Sequence, residues 1–224
     1  MTFSVVGRCA RTGAFGVAIT SSSPAVASRC AYVRAGVGAV ATQNVTDPRL
    51  GPAVLDHLTG GGGAEGAVSA VSGAASYAEF RQLSAVDSSG QAAVFSGASS
   101  LGVNGHLVGE SCAAAGNLLA SLDVLSACTE AFAADQSLPI EERLLRALEA
   151  GLAQGGEAGP LHSSGLLVAD HVEWPTTNLR VDWSDEPIAD LRALWDVWAP
   201  QKDAYVTRAL DPTSAPSYGV PGDE

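Results

Sequence analysis

The chain has 224 residues, enough for one domain with a sizeable core, since a chain of this size buries about 70% of its unfolded surface. Twelve Lys and Arg stand against 24 Asp and Glu, a net charge of −12, and Lys202 is the sole lysine. That balance leaves no basic stripe for phosphates and excludes nucleic acid as an expected partner, while a hydrophobic content of 46% excludes a disordered chain.

Residues 3–9 and 14–21 are β-rich and joined by a turn-like Arg11-Thr12-Gly13, which predicts a hairpin. A third strand is expected at 36–43, where small residues suit a strand covered on both faces. Pro52 then opens a helix carrying Val54, Leu55 and Leu58; Gly60–Gly63 ends it, and a second helical stretch begins at Ala64. Strands follow at 81–87 and 91–97 around a Ser88-Ser89-Gly90 turn, with a single strand at 107–115. Helices are expected at 122–134 and 139–154. In the second, Ile140, Leu144, Leu145, Leu148 and Leu152 recur at helical spacing, and Glu141, Glu142, Arg143 and Arg146 take the other face. Strands at 163–171 and 177–183 and a helix from Pro187 complete one domain over 1–212, before a loosely held tail at 213–224. Strand clusters separated by helix pairs predict an α/β (α+β) protein of αββα type, with two stacked sheets and helices outside.

The opening Met-Thr-Phe-Ser-Val-Val-Gly-Arg has neither a basic leader nor a cleavage site, so no signal peptide is expected, and the apolar runs stop short of the roughly 20 residues a membrane span needs. Cys9, Cys30, Cys112 and Cys128 form no C-x-x-C pair and read as reduced core residues. A cytoplasmic protein is the expectation. His57, His106, His162 and His171 lack metal-ligand spacing, and Gly60–Gly63 lacks the Lys-Ser/Thr of a phosphate loop, so neither metal nor cofactor is expected.

Several strings in fixed order carry a resemblance. They are Thr2-Phe3-Ser4-Val5-Val6, Arg34 through Gln43 with Thr46, Pro48 and Gly51-Pro52, Arg81-Gln82 with Val86-Asp87, Gly105-His106 with Gly109-Glu110, Gly116-Asn117-Leu118-Leu119, Arg143-Leu144-Leu145 and Leu179-Arg180-Val181-Asp182. In these the chain resembles, over nearly its whole length, the proteins grouped as domain of unknown function 1028 within the N-terminal-nucleophile hydrolase superfamily. The resemblance implies a four-layer αββα sandwich and, by analogy, hydrolysis of an amide in a small molecule.

Enzymes of that superfamily use a first-residue Thr, Ser or Cys with its own amine as base. An α-amine has an ordinary pKa of about 7.7–8.0 against about 10.4 for lysine, so it can take a hydroxyl proton near neutrality. Thr2, following Met1 and starting a strand, is the candidate nucleophile once Met1 is removed; threonine is also common in strands. Ser21 is a candidate partner or an ordinary turn residue, and Asn117 an oxyanion donor or a turn-forming residue after Gly116. Ser4, Gln43, Thr46 and His106 are candidate substrate contacts, with a plain strand serine the alternative for Ser4, and for His106 either an acid or base or a satisfied loop histidine. Arg34 and Arg81 could hold a substrate carboxylate or serve internal ion pairs. The family resemblance leads one to expect a basic residue near position 22; Ser22 stands there, and Lys202 is far along the chain, so the proteasome-like lysine is missing. A homodimer, paired through helices and the C-terminal tryptophans, completes the expectations. The rival reading is a non-catalytic protein that keeps the fold for ligand binding or assembly.

Overall fold

The computed structural model describes residues 2–221, and Met1 and the last three residues lie outside them. The hairpin at the start forms as β1 (Thr2–Arg8) and β2 (Phe15–Ser21), paired antiparallel from Thr2 against Ser21 to Arg8 against Phe15. A short α1 (Ala27–Cys30) leads into β3 (Ala31–Arg34) and β4 (Gly38–Asn44). Helices α2 (Leu50–Thr59) and α3 (Ala64–Ala74) follow, then β5 (Arg81–Asp87), β6 (Ala92–Ser96), β7 (Gly105–Gly109) and β8 (Cys112–Asn117). Helices α4 (Asp123–Ala133) and α5 (Ile140–Ala153), strands β9 (Ser163–Ala169) and β10 (Thr177–Val181), and helices α6 (Pro187–Trp198) and α7 (Lys202–Leu210) complete the order.

The strands build two antiparallel sheets. One has the order β10-β9-β2-β1-β8-β7 and the other β3-β4-β5-β6. Alternation along β1 divides its side chains between two cores. Phe3 and Val5 pack outward with Leu144, Leu148, Phe132 and Leu191, beneath α4, α5 and α6. Val6 turns inward to Val17, Ile19, Ala39, Ala41, Val86 and Ala113, which fill the space between the sheets. Val40, Leu83 and Ala85 cover the far face of the second sheet under α2 and α3. The result is the four-layer αββα sandwich.

Small residues set these distances. Gly7 lies under the Phe132 ring, where an added Cβ would stand 2.5 Å from its Cζ, so only glycine lets α4 come that close.

The structure corrects several local expectations. The third strand begins at Gly38, because Val37 N–H closes a turn on Arg34 C=O at 3.1 Å with Gly36 at φ 70, and that turn joins it to the unexpected β3. The run at 107–115 is two strands, β7 and β8, folded at Glu110-Ser111. Ser111 adopts φ 56 without the Gly or Asn that marks such a turn in a sequence. On α5, Glu141 and Arg143 are buried, since α4 and α6 cover the flanks of this helix; Arg143 Nε–H donates to Phe132 C=O at 2.9 Å and its guanidinium lies 4.0 Å over the Phe132 ring. Leu152, expected in the apolar stripe, is exposed. The last helix is two, broken after Trp198. Beyond α7, Arg208 donates to Pro216 C=O at 2.8 Å and lies 3.8 Å over the Tyr218 ring, which ties that part of the tail to the helix. Among the described residues no helix is long and apolar enough to cross a membrane.

Candidate active site

The inward faces of five strands change character along their length. On β1 the inward residues run Thr2, Ser4, Val6; on β2 they run Ser21, Ile19, Val17; on β4, Gln43, Ala41, Ala39; on β5, Gln82, Ser84, Val86; on β8, Asn117, Ala115, Ala113. One end of the space between the sheets is therefore apolar and the other polar. The antiparallel registers bring the polar members together: Thr2 pairs with both Ser21 and Asn117, and Gln43 pairs with Gln82.

Buried polar groups persist when their hydrogen bonds are made, and most of these are. Ser4 Oγ–H donates to Gln43 Oε1 at 2.6 Å, and Gln43 Nε2–H donates to Gln82 Oε1 at 2.8 Å. Gln82 Nε2 reaches Ser96 Oγ at 3.0 Å and the carbonyls of Gly105 and Gly116 at 3.1 Å, which ties the second sheet to the first. Asn117 donates to Gln82 Oε1 at 3.3 Å, while its own Oδ1 has no partner among the described residues.

A second chain of polar atoms starts at Thr2. Its Oγ1 lies 3.2 Å from Ser21 Oγ, which lies 2.8 Å from Ser23 Oγ, which accepts from Arg29 Nη2–H at 2.7 Å. Ser163 fixes the loop that carries Ser23, donating to Ser23 C=O at 2.6 Å and accepting from Val26 N–H at 3.1 Å. Thr2 is 5% exposed, and Ser21 and Asn117 are fully buried. Two residues at this end carry left-handed backbone without being glycine: Asn44 at φ 67, next to Gln43, and Leu118 at φ 52, next to Asn117.

The remaining sequence candidates lie apart from Thr2. Thr46 donates back to Thr42 C=O at 2.9 Å, on the loop after β4. Arg34 is at the opposite end of its sheet, bound to Asp56 at 2.9 Å and Thr59 at 2.7 Å. Arg81 donates to Val45 C=O at 2.6 Å. His106 is exposed on β7 rather than in a loop and meets Ser96 at 3.1 Å, so it stands on the rim of the glutamine network. Lys202 lies beyond the far end of β1, beside Glu141 at 3.7 Å and Asp203 at 3.2 Å, in a cleft that also includes Cys9. Burial pushes the thiols of Cys30 and Cys112 up to about 11 and that of Cys128 to about 12, so these three are inert at neutral pH.

Sequence reading missed Gln82, the centre of the network, along with Ser23, Arg29 and Glu157. Glu157 forms a bridge with Leu119 just past β8, and burial raises its carboxyl to about 8. It also lines a cavity of about 360 Å³ with Leu152, Leu161, Asp185, Pro187 and Ile188.

The fold is thus a two-sheet sandwich flanked by helices, with a buried threonine at the head of a central strand, hydrogen-bonded to Ser21 and register-paired with Asn117. The sequence places the chain further: it belongs to the family of unknown function DUF1028, whose model matches residues 2–191. No curated protein matches it. Protein SPO2555 from Silicibacter pomeroyi, a structure described under the same family model, is 35% identical over 88% of each chain, with a TM-score of 0.81. Two structures of Anbu, an ancestral β-subunit, are each 12% identical over 91% of this chain and 97% of their own. Their TM-scores are 0.37 for the Yersinia bercovieri protein and 0.43 for a Gly-1 mutant from Hyphomicrobium sp. strain MC1.

Proposed function

We propose that this protein is an N-terminal-nucleophile amidohydrolase acting on a small molecule, with Thr2 as nucleophile once Met1 is removed. The observation that carries the reading is the hydroxyl chain from Thr2 through Ser21 and Ser23 to Arg29. Arg29 can only donate, so Ser23 Oγ accepts from it, and in the proposed order Ser23 O–H donates to Ser21 and Ser21 O–H to Thr2. That order directs hydrogen bonds at the Thr2 oxygen and lends it positive charge in place of the missing lysine.

In the reaction the Thr2 α-amine takes the Thr2 hydroxyl proton while the oxygen attacks the amide carbon. A C–O bond forms and the carbonyl π pair moves to oxygen. Asn117, register-paired with Thr2, has one amide N–H left for that oxyanion after bonding Gln82, and such a donor contributes about 3–4 kcal/mol. The new ammonium returns its proton to the leaving nitrogen as the C–N bond breaks, and water then cleaves the ester.

A second reading is favoured by one observation, the closure of this end: Thr2 is 5% exposed, and Ser21 and Asn117 are 0% exposed. On that reading the fold serves ligand binding or assembly as a homodimer, without catalysis. A β-lactone separates the two. It acylates a Thr2 whose amine is free, and the adduct maps by peptide mass spectrometry. Acylation of Thr2 supports the hydrolase; a chain with free Thr2 that stays unlabelled at millimolar probe supports the second reading.

A further inference from the structure

Glu157 is a buried carboxyl that the mechanism above does not use. It is 6% exposed, and neither Oε1 nor Oε2 has a hydrogen-bond partner among the described residues. The backbone and hydroxyl of Ser22 lie close enough to favour its charged form, yet burial dominates and raises the group to about 8. A carboxyl kept in this state inside a protein is costly unless something pairs with it, so its position matters.

The sheet registers fix that position. β8 pairs with β1 as far as Asn117 opposite Thr2, which is where β1 begins. Past that point β8 takes a new partner, the segment around Glu157: Ala120 N–H donates to Gly156 C=O at 3.0 Å, and Ala158 N–H donates to Leu118 C=O at 2.9 Å. On the other side of β1, β2 ends at Ser21, opposite Thr2, and the next residue, Ser22, is the one close to Glu157. Glu157 thus occupies the row ahead of Thr2, between the continuations of the two strands that flank β1. The Thr2 nitrogen, on the N-terminal side of its Cα, is the backbone atom of β1 on the side of that row.

We propose that Glu157 is the counter-ion of the Thr2 α-amine, a positioning residue that stabilises the ammonium formed when the amine takes the hydroxyl proton. The proposal rests on the N-terminal-nucleophile reading and extends it. The role parallels that of a carboxylate behind a catalytic histidine, which orients the base and favours its protonated form without itself gaining the proton. A new cation beside Glu157 lowers its carboxyl from the raised value and, reciprocally, raises the amine. Of the charged or titratable groups on neighbouring segments, His162 stacks on Trp183 at 4.3 Å, meets Ser184 C=O at 3.2 Å and lies 3.6 Å from Asp185, while Asp185 and Glu186 line the same cavity as Glu157.

The test uses the full chain released from a fusion by cleavage directly before Thr2, so that the α-amine is present whatever happens in cells. The protein has two amine sites, Thr2 N and Lys202 Nζ, and trace acetylation across pH followed by peptide mass spectrometry titrates both. In the parent chain the Thr2 amine titrates above its ordinary range of about 7.7–8.0, and in Glu157→Gln it falls by about one unit, a tenfold change in proton affinity, while Lys202 does not move. Glu157→Asp, which keeps the charge, restores part of the shift and guards against a packing artefact, with thermal melting confirming that each variant is folded. An amine titrating identically in parent and Glu157→Gln overturns the proposal. The outcomes also separate the two readings: a shifted amine with no lactone adduct sinks the hydrolase and keeps the pairing, whereas an adduct with an unshifted amine does the reverse.

Discussion

The two ends of the space between the sheets are built on the same strands and differ in the chemistry they bury. At one end Val6, Val17, Ile19, Ala39 and Val86 interlock as an ordinary dry sheet-on-sheet core. Two to four residues along each strand, the side chains become Ser4, Ser21, Gln43, Gln82 and Asn117, buried just as deeply. An apolar pair at these positions would stabilise the sandwich more cheaply, because each buried amide must replace its lost water with a partner. The polar end is also where Asn44 and Leu118 hold left-handed backbone and where Glu157 and Asn117 keep unbonded oxygens among the described residues. Local rules that hold at one end are broken together at the other, and that clustering supports placing the proposed site there.

The contrast breaks most sharply in activity. Thr2→Ala at the polar end is expected to abolish lactone acylation altogether, a complete loss by intact mass, with a melting temperature close to the parent's. Gln82→Ala comes next. It removes the acceptor of Gln43 Nε2 and a donor to the Gly105 and Gly116 carbonyls and leaves a cavity, so a loss of about 3 kcal/mol in urea unfolding is expected, together with weaker labelling as Asn117 loses its anchor. At the apolar end, Val6→Ala should cost about 2 kcal/mol in the same assay and leave the labelling rate of the folded fraction unchanged. The smallest effect is at Asp87, the last residue of β5 at the apolar end. Burial works to raise its carboxyl, but hydrogen bonds from Ser89, Ala64 N–H and Gln91 N–H outweigh it and hold the group below its ordinary value. A folded pKa below the unfolded one gives stability that is present above about pH 4 and lost as the pH falls through the folded value. Asp87→Ala should therefore cost about 1 kcal/mol at pH 7, chiefly the N-terminal bond to α3, and the difference from the parent should shrink as the pH is lowered below 4.

The architecture was legible because strand clusters and helix pairs alternate in the chain. Its misread parts were those that carry no turn signal, such as the Glu110-Ser111 hairpin. The site was legible only in part. Ser4 is expected beside Thr2 because it lies two residues along the same strand and Gln43 because it closes the third strand, but Arg81 is singled out beside Gln82, its neighbour in the same strand. Strand periodicity puts those two on opposite faces, yet both faces of β5 are covered, so hydropathy alone does not say which one looks inward. Arg34 has the chemistry of a carboxylate ligand, and only the register of β3 places it at the wrong end. Arg29 and Glu157 lie in stretches with no motif, 27 and 155 residues from Thr2 in sequence, and only the sheet order brings their neighbours to it.

The proposed chemistry needs a free amine at the head of β1, and the mass of the chain purified from its own cells reports whether it is there. A population lacking Met1, with Thr2 first, is the predicted result. A chain that keeps Met1 in full would contradict the proposed chemistry and leave the sandwich with its buried polar end.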